Sequence, residues 1–269
     1  MHLFCPIIMK AVIPVGGRGT RFHPWTHINA KELIPVVDML DGRIRAAIDL
    51  VVKEAYMAGI TDALLITAIG KSSIKDHLTK QQQVGELSND IRLHYTDQKE
   101  PKGLGDAVLC AESYTKHEPF VVLLGDDFHD KNPILQMRQV YDKIDKEKFG
   151  GIVITQKVEL ENAKRYGVLT VANVGEIFEV KAVVEKPEHP ESPYVISGRY
   201  LLSNFIFDYI KKTLPDKKGE IQLTNAIKLM LADGYKFYAV ELEGKRYDVG
   251  EASGWFRTIK EIGSNFYNA

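Results

Sequence analysis

The sequence predicts an α/β fold on a mixed, mainly parallel central sheet flanked by helices. Two observations carry this reading. Apolar runs of strand length alternate with helical patterns through the first half of the chain, and such β-α alternation puts helices on both faces of a parallel sheet. The first run, Ala11-Val12-Ile13-Pro14-Val15, ends directly in Gly16-Gly17-Arg18-Gly19. Bare backbone thus lies at a strand's carboxyl end, where open α/β sheets bind ligands.

The remaining elements follow in order. Residues 63–67, 91–95 and 120–124 are rich in β-branched, leucine and aromatic side chains and read as strands. Between the run at 11–15 and the strand at 63–67, Ile44, Ile48, Val51, Val52 and Ala55 recur every three to four residues, the spacing of an amphipathic helix. The second half reads as strands over 151–155, 168–171, 177–184 and 199–202, helices over 204–213 and 223–232, and a strand over 237–242. A final helix then sets Trp255, Ile259, Ile262 and Phe266 on one face. No Gly-, Ser- or Pro-rich linker divides the chain and no internal repeat appears, so one continuous domain is expected.

Bulk properties narrow the function classes. Of the 269 residues, 45% are hydrophobic and 26% charged, as in ordinary soluble globular proteins. A net charge of −1 with dispersed basic residues gives no electrostatic reason to bind nucleic acid or a membrane surface. Cys5 and Cys110 form neither a disulfide framework nor a zinc set, which fits a reducing compartment. The opening MHLFCPII is apolar but lacks the layout of a signal peptide, and Met9 is an alternative start. No stretch approaches the roughly 18 apolar residues of a membrane helix, so a cytoplasmic protein is expected.

Several short segments carry chemistry. Gly16, Gly17 and Gly19 open main-chain N–H groups to close approach, with Thr20 and Arg21 directly behind. An anion suits them, a nucleotide phosphate first. Neither common phosphate loop fits, because a dinucleotide fingerprint begun at Gly17 needs glycine where Phe22 stands, and no G-K-[ST] follows. A tight structural turn is the alternative. Lys31, in KELIPVVD, can serve the same anion or pair with Glu32 in solvent. In DQKEPKGLGDAVL, after a strand ending at Tyr95, Gln98 offers an amide donor and acceptor to a planar base. Gly103 and Gly105 expose amides before a helix starting near Asp106, with Asp106 as a plain cap the alternative.

Asp126 and Asp127 close the strand in VVLLGDDFHD. Carboxylates there suit Mg²⁺, whose other ligands are water and phosphate oxygens, or else they are turn residues. His129 has no zinc-spaced partner, and Pro24 separates His23 from His27. Glu185 and Lys186, in VVEKPEHPESP, leave a strand end together, one able to accept from sugar hydroxyls and the other to hold a phosphate. YGVL (166–169) and GEIQLTNAI (219–227) add polar groups beside glycines, and KRYDVG brings Asp248 to a turn as a candidate second metal carboxylate.

In order, G-G-x-G-T-R, K-E-x-x-P-V-x-D, Q-K-E-P-x-G-L-G, L-L-G-D-D, R-Y-G-V, V-E-K-P, G-R-Y-x-L, G-E-I-Q-L-T and K-R-Y-D-V-G run nearly end to end. Over roughly residues 9–262 this series closely resembles the bacterial and archaeal UTP–glucose-1-phosphate uridylyltransferase family, a branch of the sugar-1-phosphate nucleotidylyltransferases. The resemblance implies a Rossmann-like nucleotidyltransferase fold as a single domain over 1–269. Within it, 9–130 would be mainly the nucleotide-binding half, and 131–269 mainly the sugar-phosphate-binding half with the C-terminal helix. It implies Mg²⁺-dependent formation of UDP-glucose and pyrophosphate from UTP and glucose 1-phosphate, by in-line attack on the α-phosphate. It also implies a cytoplasmic homo-oligomer with no nucleic-acid or membrane partner.

By the same resemblance, Gly16, Gly17, Gly19, Thr20 and Arg21 hold the triphosphate and Lys31 faces its phosphates. Gln98 and Gly103 read uracil, with Asp106 close to the nucleoside. Gly167, Glu185 and Lys186 hold the sugar phosphate, Glu220 sits near the sugar hydroxyls, and Asp126 and Asp248 bind Mg²⁺. Arg21, Lys31, Asp126 and Lys186 then carry the catalysis. Three segments depart from the family pattern. The opening is Gly16-Gly17, as in the thymidylyltransferases; MLDGRIRAAIDL replaces a Lys-Pro segment; and Ser192-Pro193-Tyr194 stands for Pro-Ser-Asn. A glucose-1-phosphate thymidylyltransferase or another sugar-1-phosphate nucleotidylyltransferase is the nearest alternative. A non-catalytic sugar-nucleotide sensor is an alternative of another class, opposed by the joint presence of Arg21, Asp126, Lys186 and Asp248.

Overall fold

The computed structural model describes residues 9–267 apart from Glu176. The apolar opening with Cys5, on which the choice of start turns, lies outside the described residues. β1 (Lys10–Pro14) runs into the glycine loop and three 3₁₀ turns, Thr20–Phe22, Trp25–His27 and Lys31–Leu33. A hairpin of β2 (Pro35–Val37) and β3 (Ile44–Ala46) leads into α1 (Ala47–Met57). Then come β4 (Asp62–Ala68), α2 (Ser73–Gln83), β5 (Arg92–Gln98), α3 (Leu104–Leu109), α4 (Glu112–Thr115) and β6 (Phe120–Leu123). The second half holds β7 (Asp127–His129), α5 (Pro133–Lys143), β8 (Phe149–Lys157), α6 (Leu160–Ala163), β9 (Gly167–Val174) and β10 (Ile177–Glu185). It ends with β11 (Tyr194–Leu202), α7 (Ile206–Lys212), α8 (Leu223–Ala232), β12 (Lys236–Glu241), β13 (Arg246–Asp248) and α9 (Ala252–Phe266).

Nine strands form one sheet in the order β5-β4-β1-β6-β11-β8-β12-β10-β9. From β5 to β6 every pairing is parallel; beyond β6 the pairings are antiparallel except β8 with β12. The sheet is therefore mixed, as expected, with its purely parallel part where β-α alternation was clearest in the sequence. Side-chain alternation divides the core between the two faces. On β1, Ile13 joins a cluster with Val51 of α1, Leu78 of α2 and Met137 of α5. Its neighbour Val12 points the other way, into a cluster with Val108 of α3, Ile210 of α7 and Ile227 of α8.

Several boundaries differ from the sequence reading, among them β11, which begins at Tyr194 rather than at 199, and β8, which runs from Phe149 to Lys157. Residues 44–46 are strand, because Ile44 pairs with Val37 across the hairpin and leaves its side chain exposed. The helix begins at Ala47, where the Asp49 carboxylate accepts from the Ala46 N–H at 3.0 Å. β5 continues past Tyr95 to Gln98, through parallel pairing with β4 that no local pattern signals. Helices α2 and α5 had no reading. α2 buries only Ile74 and Leu78, too narrow a stripe to stand out, whereas α5 has a legible start, Asn132 accepting from the Ile134 N–H ahead of Pro133.

A buried ion pair ties α1 to the middle of the sheet. Arg199 of β11 is fully buried and donates to both oxygens of Glu54, at 2.5 and 3.1 Å. Its other terminal nitrogen and this one brace main-chain carbonyls, Nη2 reaching Asp127 O at 2.7 Å. Burial alone would raise the Glu54 pKa, but Arg199 and His129 outweigh it and hold the carboxyl down at about 2. Glu54→Gln is expected to destabilise the fold by about 3–5 kcal/mol at pH 7, because it strands a buried guanidinium. Urea denaturation measures the loss. The carboxyl's folded pKa is depressed, so its contribution is complete above about 4.5 and fades as pH falls towards 2. The gap between the two proteins should close over that window.

Candidate functional site

A cleft of about 810 Å³ opens at the carboxyl ends of β1, β5 and β6. The glycine loop forms one wall. Val15 extends the β1–β4 pairing through its N–H to Ile66 O, at 2.8 Å, so the chain turns away only at Gly16. Gly19 has φ 63, and a Cβ there would lie 3.0 Å from Thr26 Cγ2. Both facts demand glycine. The loop is pinned from two sides: Thr26 Oγ1 donates to Gly19 O and Lys71 Nζ to Gly17 O, each at 2.7 Å. Thr20 and Arg21 begin the next turn and line the cleft.

Lys31 and Asp126 meet on the cleft floor, the ammonium donating to Asp126 Oδ2. Burial would raise the Asp126 pKa, but the Lys31 charge and hydrogen bond reverse this and keep it below the ordinary carboxylate range. Burial likewise works against the Lys31 ammonium, yet Asp126 and Glu32 hold its pKa above the usual lysine value. Glu32 is not the solvated partner that exposed charge pairs suggest. It is 1% exposed, its Oε1 lies 3.8 Å from Lys31 Nζ, and its Oε2 has no partner. Burial, only partly offset by Lys31, pushes it up to about 7.

Asp126 and Asp248, 122 positions apart, are brought together by a two-stranded ribbon. β7 and β13 pair antiparallel with Asp127 opposite Asp248, and the Val249 N–H donates to Asp126 O at 3.0 Å. Asp127 faces away into a bidentate pair with Arg246, at 3.0 and 2.9 Å, and Arg246 also reaches Asp248 Oδ2 at 3.1 Å. Gly250 leaves a space between Asp126 Oδ2, which accepts from Lys31, and Asp248 Oδ1, which accepts from the Gly250 N–H at 2.9 Å. A Cβ there would sit 2.6 Å from Asp126 Oδ2 and 3.1 Å from Asp248 Oδ1. A small cradle with only oxygen donors suits a hard dication that completes its shell with water and phosphate oxygens. Among the described residues no group of three or more His, Cys, Asp or Glu offers an all-protein metal cage.

At the other end of the cleft, Gln98 closes β5 and is 4% exposed. Its amide nitrogen donates to Asp106 Oδ2 at 2.6 Å and to Gly103 O at 3.3 Å. Gln98 therefore does not offer both ends of its amide to a ligand, since the donor end is used within the protein. Asp106 caps nothing and does not line the cleft. Gly103, with φ 99, begins α3.

A second cavity, about 310 Å³, is lined by Arg21, Arg165, Tyr166, Lys186, Asp248 and Glu251. Lys186 has a left-handed backbone, φ 42, held by its N–H to Tyr166 O at 3.0 Å, and its ammonium lies 2.7 Å from Glu185 Oε1. Such a conformation is costly for a non-glycine residue and collects at functional sites. Glu185 accepts from Thr224 Oγ1 at 2.9 Å and stands opposite Gly167 in the β9–β10 register. Glu220 is not here. It lines the larger cleft beside Gly103, whose Cβ position is 3.0 Å from the Glu220 Cβ.

Sequence reasoning missed Arg18, Lys102 and Lys218 on the large cleft and Arg165 on the small one. Arg18 lies inside the glycine loop, and Arg165 immediately precedes the YGVL segment, so adjacency could have found both. Lys102 and Lys218 come to the same cleft because their segments are joined at its rim, the Ile221 N–H donating to Lys102 O at 2.6 Å and the Gly105 N–H to Ile221 O at 2.8 Å.

A sequence model described as nucleotidyl transferase matches residues 10–265. A UTP–glucose-1-phosphate uridylyltransferase of Bacillus subtilis, YngB, is 40% identical over 95% of this chain and 90% of its own. A crystal structure of UDP-glucose pyrophosphorylase complexed with UDP-glucose superposes with a TM-score of 0.85 at 33% identity, covering 96% of this chain and 100% of that one. UTP-bound UGPase from Acinetobacter baumannii gives 0.81 at 30% identity, over 96% and 94%. The chain belongs to the nucleotidyl transferase family, in its UTP–glucose-1-phosphate uridylyltransferase branch.

Proposed function

We propose that this chain transfers a uridylyl group from UTP to glucose 1-phosphate, forming UDP-glucose and releasing pyrophosphate. The observation that carries the reading is the junction of the two cavities. Arg21 lines both, Asp126 lines the larger and Asp248 the smaller, and the two carboxylates flank one point beside Gly250. Two anionic substrates entering separate cavities meet there. The large cleft takes the nucleotide, its triphosphate against the glycine loop, Thr20, Arg21 and Lys31, and its base at Gln98 and Gly103. The small cavity takes the sugar phosphate through Lys186, with Glu185 and Gly167 at its edge, while Glu220 stays on the nucleotide side.

In the reaction, an oxygen of the sugar phosphate forms a bond to the α-phosphorus as the bond to the bridging oxygen of pyrophosphate breaks. That oxygen leaves with the electron pair. A phosphate monoester has a second pKa of about 6 and attacks as a dianion at neutral pH, so no general base is required. Neutralising charge and aligning the reactants remain. Arg21, Lys31 and Lys186 supply fixed cations around the meeting point. Held by Asp126 and Asp248, Mg²⁺ would supply further neutralisation of phosphate oxygens.

Pyrophosphate release from UTP, dTTP, CTP, ATP and GTP against several sugar 1-phosphates, with Mg²⁺ and with chelator, tests the reading. UTP with glucose 1-phosphate should lead. A preference for dTTP or CTP moves the protein to a neighbouring specificity, pyrophosphate release with any pair removes the sensor alternative, and no release with any pair overturns the uridylyl reading. Lys186→Ala is expected to raise the KM for the sugar phosphate about tenfold or more, with a smaller effect on the nucleotide, because a phosphate-holding lysine contributes largely uniform binding. Steady-state kinetics with each substrate varied in turn decide it. A rise confined to the nucleotide KM assigns Lys186 to the other substrate.

A further inference from the structure

We infer that Asp106 is a positioning residue for base choice, acting through Gln98 without touching the nucleotide; the inference rests on the uridylyl reading above. An amide side chain presents a donor end and an acceptor end, and which end faces a ligand depends on what holds the other. The Gln98 nitrogen lies between Asp106 Oδ2, at 2.6 Å, and Gly103 O, at 3.3 Å. A carboxylate and a peptide carbonyl only accept, so both N–H bonds of the amide are committed and its orientation follows from the chemistry. Oε1 is left on the glycine-loop side, 3.3 Å from the position a Gly16 Cβ would take. Gln98 is 4% exposed and closes a paired strand, so the side chain cannot swing away to offer its nitrogen instead.

The cleft thus offers the base an acceptor at this point. Uracil carries a single donor on its ring edge, N3–H, between two carbonyls. An acceptor-only Oε1 must meet that N–H. Cytosine puts a lone pair at N3, so two acceptors would face each other at a side chain that is only 4% exposed, leaving Oε1 unpaired. Thymine shares the imide N–H and is not rejected here. Asp106 therefore separates uracil and thymine from cytosine, and it does so by blocking the flipped amide that would present a donor to cytosine N3. Asp106 is itself absent from the cleft lining, so its loss removes no direct contact with nucleotide.

The test compares wild type with Asp106→Ala and Asp106→Asn, measuring kcat/KM and equilibrium binding for UTP and CTP. Asp106→Ala removes the shorter, charged one of the two acceptors that oppose a flip and leaves only Gly103 O at 3.3 Å, so the preference for UTP over CTP should fall about tenfold or more, through both weaker UTP and stronger CTP. Asp106→Asn can turn its own amide and donate to a flipped Gln98 Oε1, which leaves only Gly103 O against the flip, so it should lose part of the preference but less than Asp106→Ala. Equal losses on both nucleotides in Asp106→Ala mean that the residue only supports the fold, which overturns the inference while UTP turnover stands. An unchanged ratio overturns it as well. A wild-type protein that neither binds nor turns over UTP overturns the uridylyl reading instead.

Discussion

Asp126→Asn should lower kcat at least 100-fold while leaving the binding of glucose 1-phosphate within a few-fold of wild type. Losing one metal carboxylate removes on the order of 3 kcal/mol of transition-state stabilisation. Repulsion between the two phosphates peaks as they approach, so the loss falls on kcat more than on ground-state binding. The substitution also removes the negative charge paired with Lys31, though an amide oxygen can still accept from it, and leaves Glu32 Oε1 at 3.8 Å as the nearest carboxylate oxygen. Single-turnover kinetics at saturating Mg²⁺, with the sugar-phosphate Kd measured separately, check the split. A kcat near that of wild type would place the metal elsewhere.

Gly250→Ala should have an effect of similar size from a single methyl group. The added Cβ would stand 2.6 Å from Asp126 Oδ2, closer than Cβ atoms come to other heavy atoms, and 3.1 Å from Asp248 Oδ1. One or both carboxylates must turn aside. The backbone of Gly250 lies outside the left-handed region, so alanine adds no torsional strain and the effect is confined to the site. Mn²⁺ affinity followed by electron paramagnetic resonance in the presence of UTP should weaken about tenfold or more, and kcat should fall about 100-fold. Gly263→Ala, in α9 with open space around its Cβ position, is the control that should leave both unchanged. Normal Mn²⁺ binding by Gly250→Ala would show that the two carboxylates do not share an ion.

The parallel part of the sheet was legible because β1, β4 and β6 are buried on both faces, and burial on both faces writes a continuous apolar run. The glycine loop was legible because a close backbone approach at a strand end leaves few residue types to choose from. The last residues of β5 were not legible: Thr96-Asp97-Gln98 is polar, and only pairing with Ile66-Thr67-Ala68 makes it strand. Ile44 fell in helical register by coincidence, and its pairing with Val37 overrode that periodicity. Glu32 looked like surface because adjacent opposite charges usually are, but it is buried with its Cγ against Gly125, where an added Cβ would come within 3.2 Å.

The sequence by itself determined the α/β class, the glycine loop at the end of β1 and the candidate residues Arg21, Lys31, Asp126, Lys186 and Asp248. Each of these follows from local chemistry or short-range spacing. Tertiary structure alone decided what those residues do to one another. Pairing of β7 with β13 put Asp126 and Asp248 around one point, Lys31 came to rest on Asp126, and Asp106 turned the Gln98 amide so that only its acceptor is free. Partner choice for a buried polar group is a long-range matter, because desolvation makes each one costly until the fold supplies its counterpart. No short window along the chain holds Asp126 with Asp248 or with Lys31; Gln98 and Asp106 share one segment, and there only the folded geometry decides which end of the amide is taken.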